Sequence, residues 1–119
     1  MLYHITSKTD WEQAQTVGAY RADSLETEGF IHCSRLTQVL WVADAFYQGQ
    51  TGLVLLCIDP ERVNVEIRYE TVEGVPIEND FPHLYGALNL DAVVRMVDFE
   101  PDAQGQFHLP SGIKRDEGL

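Results

Sequence analysis

Glu28-Gly29-Phe30-Ile31-His32-Cys33-Ser34 places an acid, an imidazole, a thiol and a hydroxyl within seven residues. Read as a strand that ends at a helix start, it sends alternate side chains to opposite faces. Glu28, Phe30, His32 and Ser34 then share one face, and Ile31 and Cys33 share the other with Gly29. Polar chemistry falls on one side and packing on the other. Four residues of strand span roughly 13 Å, so Glu28 and His32 meet only if Gly29 bends the chain. Two more histidines sit inside apolar runs, in Leu2-Tyr3-His4-Ile5-Thr6 and Phe81-Pro82-His83-Leu84-Tyr85. The expectation is three strands converging on one pocket.

Upstream, residues 1–6 alternate, with Leu2, His4 and Thr6 facing one way and Tyr3 and Ile5 the other. Thr9 followed by Glu12 reads as a capping box. It predicts a helix over about 10–17 that buries Trp11 and Ala14 and stops at Gly18. Residues 19–27 show no period and read as a loop. Downstream, Ser34 reads as the cap of a second helix over about 35–48, with Leu36, Val39, Leu40, Ala43 and Phe46 at helical spacing.

Leu53 to Asp59 is a continuous apolar run, expected to be a central strand buried on both faces. Residues 63–70 alternate, with Val63, Val65, Ile67 and Tyr69 inward and Asn64, Glu66, Arg68 and Glu70 outward. Residues 71–80 read as a polar loop and 81–85 as a short strand. Asn89 reads as the cap of a helical turn, Val93–Phe99 as a strand, and Asp102–Gly105 as a turn returning through 106–109. Early helices and late strands indicate an α+β fold. The expectation is one compact domain over residues 1–109, with a bent or split, mostly antiparallel sheet and two N-terminal helices. Residues 110–119 are expected to be a disordered tail.

Composition narrows the function. The net charge is −11 with only eight Lys and Arg among 119 residues, so no basic stripe exists for a phosphate backbone or an anionic membrane surface. No apolar run is long enough to span a bilayer, and the N-terminal residues carry no secretory pattern. Cys33 and Cys57 lie apart in apolar runs and read as reduced thiols, so the expected location is the cytoplasm. Cys33 shares the core face with Ile31, where a thiol stays protonated and inert. The histidines and cysteines lack close metal-ligand spacing, so no metal is expected. No glycine-rich phosphate loop is present. His108 reads as an ordinary surface residue.

The runs Leu2-Tyr3-His4-Ile5-Thr6, Ser24-Leu25, Glu28-Gly29-Phe30-Ile31-His32-Cys33-Ser34, Leu53-Val54-Leu55-Leu56 to Asp59, Glu70 and Phe81-Pro82-His83-Leu84-Tyr85-Gly86 together resemble a small, mostly bacterial family, domain of unknown function 952. The resemblance covers roughly residues 2–97. It implies a compact relative of the ADP-ribosyltransferase group, whose bent sheet splits around a cleft for NAD. In that frame His4 is similar to the ribose-binding histidine of the first core strand. His32 or Ser34 corresponds to the second position, and Glu70, Tyr85 or His83 to the third. Breaking the nicotinamide–ribose bond develops oxocarbenium character, which a carboxylate stabilises. His4 and Tyr85 could orient the ribose, and Glu28 or Glu70 could supply that charge. Arg21 and the chain around Ser24 and Ser34 could hold a pyrophosphate. NAD would be the substrate, and an ADP-ribose-like nucleotide the expected partner. The alternatives are a non-catalytic module for a small metabolite or a protein, and a metal-dependent hydrolase.

Overall fold

The structure is a computed structural model that describes residues 1–113. It is a compact α+β domain of eight short strands and three α-helices among the described residues. In chain order these are β1 (Leu2–Ser7), α1 (Lys8–Val17), β2 (Ala19–Tyr20), α2 (Asp23–Thr27), β3 (Ile31–His32), α3 (Leu36–Phe46), β4 (Leu53–Ile58), β5 (Ile67–Thr71), β6 (Asp80–Leu84), β7 (Leu88–Asn89) and β8 (Val93–Asp98). Every named strand pairing is antiparallel.

Two three-stranded sheets carry the fold, ordered β1-β4-β8 and β3-β6-β5, and β2 pairs with β7 beside them. Among the described residues, one two-bond backbone bridge joins the larger sheets. Tyr3 N–H donates to the Ser34 carbonyl at 2.8 Å, and Ser34 N–H donates back to the Tyr3 carbonyl at 2.7 Å. β4 is central in its sheet and all six of its residues are buried, as its unbroken apolar run demands. One face of this sheet, with Leu2, Val54, Leu56 and Ile58, packs toward Trp11, Tyr20, Ile31 and Leu84. The other face, with Tyr3, Ile5, Leu55 and Cys57, packs against α3 and the C-terminal arm through Val39, Ala43, Phe99, Phe107 and Ile113.

Several local expectations need correction. Helix α1 starts before Thr9, because Ser7 caps it by accepting from the Asp10 N–H at 3.0 Å. Residues 19–27 are not a loop but hold β2 and α2, so three helices replace two. Ser34 does not cap α3, since its backbone is committed to Tyr3. Instead Gln38 reaches back and accepts from the Arg35 N–H at 2.8 Å. The key strand shrinks to Ile31–His32 because Glu28 ends α2 and Gly29 takes φ +90°.

The alternating run at 63–70 becomes a strand only from Ile67. Asn89 occupies the backbone ahead of it, accepting from Asn64 N–H at 2.9 Å and donating to the Arg62 carbonyl at 2.8 Å. Tyr69 is exposed rather than inward. Residues 106–109 form no strand. The tail expected from 110 is packed as far as Ile113, which is fully buried, and residues 114–119 lie outside the described residues.

Candidate functional site

A cleft of about 620 Å³ opens between β1, the α2–β3 segment, α3 and the β5–β6 loop. That volume falls within the range of small-molecule sites. Its wall combines two kinds of side chain: the polar His4, Thr6, Tyr20, Ser24, Glu28 and His32, and Trp41, Val42, Phe46 and Tyr47 from α3.

His4 anchors the polar group. Alternation along β1 puts it with Leu2 and Thr6 on the face that meets β2 and β3. Its Nδ1 lies 2.5 Å from the His32 carbonyl and its Nε2 lies 2.7 Å from the Tyr20 hydroxyl. A carbonyl only accepts, so Nδ1 carries the proton, and a neutral ring then accepts the Tyr20 proton at Nε2. The Thr6 hydroxyl, 3.0 Å from that of Tyr20, extends the chain. Burial holds the His4 pKa down to about 4, against a smaller opposing effect of the His32 carbonyl, so the ring is neutral at pH 7. Burial also pushes the Tyr20 hydroxyl up, and it stays protonated.

Glu28 and His32 meet at the mouth of the cleft. The bend at Gly29 brings Glu28 Oε2 within 2.9 Å of His32 Nε2, although a straight strand would hold them far apart. Both side chains are about half exposed, at 49% and 47%. Ser24 donates its hydroxyl to the Phe30 carbonyl at 2.7 Å, which ties α2 to β3. Ser34 is buried in the cleft wall beside the bridge to Tyr3.

His83, Glu70 and Tyr85 do not line the cleft. They gather on the outer face of the β3-β6-β5 sheet, where His83 stands opposite both His32 and Arg68. His83 Nδ1 donates to Glu70 Oε1 at 2.8 Å, and the Tyr85 hydroxyl donates to the same oxygen. These two hydrogen bonds lower the Glu70 pKa, and the bond to Glu70 raises that of Tyr85. Phe30 stacks on the His83 ring at 4.0 Å between centroids, leaving His83 Nε2 buried without a hydrogen-bond partner. Arg68 lies over the Tyr85 ring at 4.5 Å. Glu70 is outward, as alternation requires, yet the outward face is where this cluster forms.

The three histidine strands therefore converge pairwise. The His32 backbone meets His4, while the His32 ring packs edge-on against His83 at 5.1 Å, so His32 separates the cleft from the outer cluster. Arg21 is exposed and lines a smaller hollow that shares Asp10, Tyr20 and Asp23 with the cleft, so it stands beside the cleft rather than in its wall. Cys33 is buried and its thiol pKa is raised by burial, which leaves it unreactive. Among the described residues, no three His, Cys, Asp or Glu side chains come together in a way that could hold a metal ion.

Tyr20, Thr6, Trp41 and Phe46 escape the sequence as site residues. Tyr20 reaches His4 only through the two-residue pairing of β2 with β7, which leaves no periodic trace. Phe46 does carry a signal: it continues the apolar stripe of α3, yet it is 65% exposed at the cleft rim.

The family model described as Protein of unknown function (DUF952) matches residues 5–96, and the chain belongs to that family. Its fold is similar to the crystal structure of protein CC0527 from Caulobacter crescentus, with a TM-score of 0.81 and 30% identity over 99% of this chain and 98% of that one. The solution structure of CC0527 gives a TM-score of 0.75 and 32% identity over 88% of this chain and 89% of the other. No curated protein matches the sequence.

Proposed function

We propose, taking membership of that family as the premise, that the cleft binds the nucleoside portion of NAD or of an ADP-ribose-like nucleotide. The observation that carries this reading is the buried chain His4–Tyr20–Thr6 running beside the half-exposed Glu28–His32 pair in one cleft. A ribose offers hydroxyls that both donate and accept. Glu28 and His32 offer it a carboxylate and an imidazole at the mouth. Both ring nitrogens of His4 are already engaged, so His4 acts by fixing Tyr20 and the His32 backbone rather than by gripping the sugar itself. Kinship with the split-sheet fold of ADP-ribosyltransferases is part of the proposal. It is supported by two antiparallel sheets that meet at one bridge beside the cleft.

Transfer or hydrolysis of ADP-ribose would use Glu28 as the carboxylate that stabilises positive charge developing on the ribose. Glu70 is held by His83 and Tyr85 outside the cleft and is the poorer candidate. A second reading, binding without turnover, is favoured by the engagement of Glu28 with His32 and of His4 with its two partners. A thermal-shift titration with NAD, ADP-ribose and nicotinamide, on wild type and His4→Ala in parallel, tests the proposal. A ligand-dependent rise in Tm that is lost in His4→Ala is expected, and release of nicotinamide separates turnover from binding. No shift with any of the three, nor with adenosine or nicotinamide riboside, would sink the nucleoside reading.

A further inference from the structure

We infer that the cleft selects for a ring-bearing nucleoside without its phosphates, the ring resting on Trp41 and Phe46. This rests on the reading of the cleft as a nucleoside site and names the ligand class. Charge and the distribution of aromatic surface carry it together.

No Lys or Arg among the described residues lines the cleft, whereas Asp10, Asp23 and Glu28 do. Arg21 stands on the adjoining hollow, which Asp10 and Asp23 also line, while Lys8 pairs with Asp98, Arg35 with Asp80 and Glu78, Arg62 with Asp59, and Arg68 with Glu66. His4 is neutral at pH 7, so it adds no positive charge. A phosphate entering this cleft meets carboxylates at short range and a net charge of −11 behind them. A neutral or cationic ligand meets no such barrier.

The α3 wall of the same cleft supplies what a planar ring needs. Phe46 is 65% exposed and packs edge-on against Trp41 with centroids 6.0 Å apart, both in the cleft wall. Exposed aromatic faces of this kind stack on nucleobase-like rings with little dependence on the ring's identity. The base would lie on α3, the sugar would reach toward Glu28 and His32, and any phosphate would be left outside.

Calorimetric titration of the full chain with adenosine, its 5′-monophosphate and its 5′-diphosphate, and with nicotinamide riboside and its 5′-phosphate, tests this. Each phosphate should weaken binding roughly three- to tenfold at low salt, and raising ionic strength should compress the difference. Glu28→Gln should shrink the phosphate penalty. Phe46→Ala, at an exposed position that does not threaten folding, should weaken nucleoside and nucleotide alike by about tenfold. Tighter binding of the nucleotides, or indifference to Phe46→Ala, would overturn the inference while leaving the cleft a nucleoside site. Silence from every nucleoside and nucleotide would instead remove the reading on which it rests.

Discussion

His4 is held by two hydrogen bonds from opposite sides, and each depends on a residue distant in sequence. Removing one is therefore costly. Tyr20→Phe should leave His4 Nε2 buried without a partner and lower stability by about 1–3 kcal/mol in urea titration. The depressed pKa also makes folding depend on pH. In the unfolded chain the ring takes up a proton near pH 6.5; in the folded protein it does so only near 4. Below pH 6.5 the unfolded state thus binds more protons, and stability falls as pH drops toward 4 and levels off beyond it. The loss is on the order of 3 kcal/mol. Denaturant midpoints between pH 7 and 4.5 should show this slope in wild type and lose it in His4→Gln; parallel slopes would refute it. His4 was legible in the sequence because alternation alone assigns its face. Its partner Tyr20 was not, because a two-residue strand is too short to show any period.

Helix caps and bends act on whole elements, and they set where the site residues stand. Ser7, not Thr9, caps α1, so Ser7→Ala should cost about 1 kcal/mol while Thr9→Ala stays near neutral. Equal effects in thermal denaturation would reject that assignment. Both residues are good caps by type, and sequence spacing favours Thr9 through Glu12. The choice falls to the end of β1, whose pairing runs out to Ser7 opposite Leu53. Gly29 has open space where a Cβ would stand but a φ of +90°, so Gly29→Ala should cost about 1 kcal/mol through backbone strain alone. It should also draw Glu28 away from His32, visible at fixed pH as changed NMR chemical shifts of the His32 ring. The bend was legible only as a condition. Glycine permits it, but the five residues of α2 that impose it carry too little pattern to be read in advance.

Across the molecule, the central strand, the first helix and the strands near residues 81–85 and 93–99 follow from apolar periodicity, which is why the α+β class could be read directly. The second core could not. It is completed by Phe107 and Ile113 from a C-terminal arm, irregular over residues 106–110, and a stretch with Pro110 and Gly112 looks like a tail until a groove exists to receive it. Ile113→Ala should cost about 2–4 kcal/mol if the arm closes that core, and a change under about 0.5 kcal/mol in chemical denaturation would deny it. Tyr3 and Ser34 join the backbones of the two larger sheets through one reciprocal pair of amides at the edge of the cleft. Their protons are thus a gauge of how far the two halves separate. Bound ligand should slow deuterium uptake at both amides in step, while amides deep in β4 keep the rate of global unfolding.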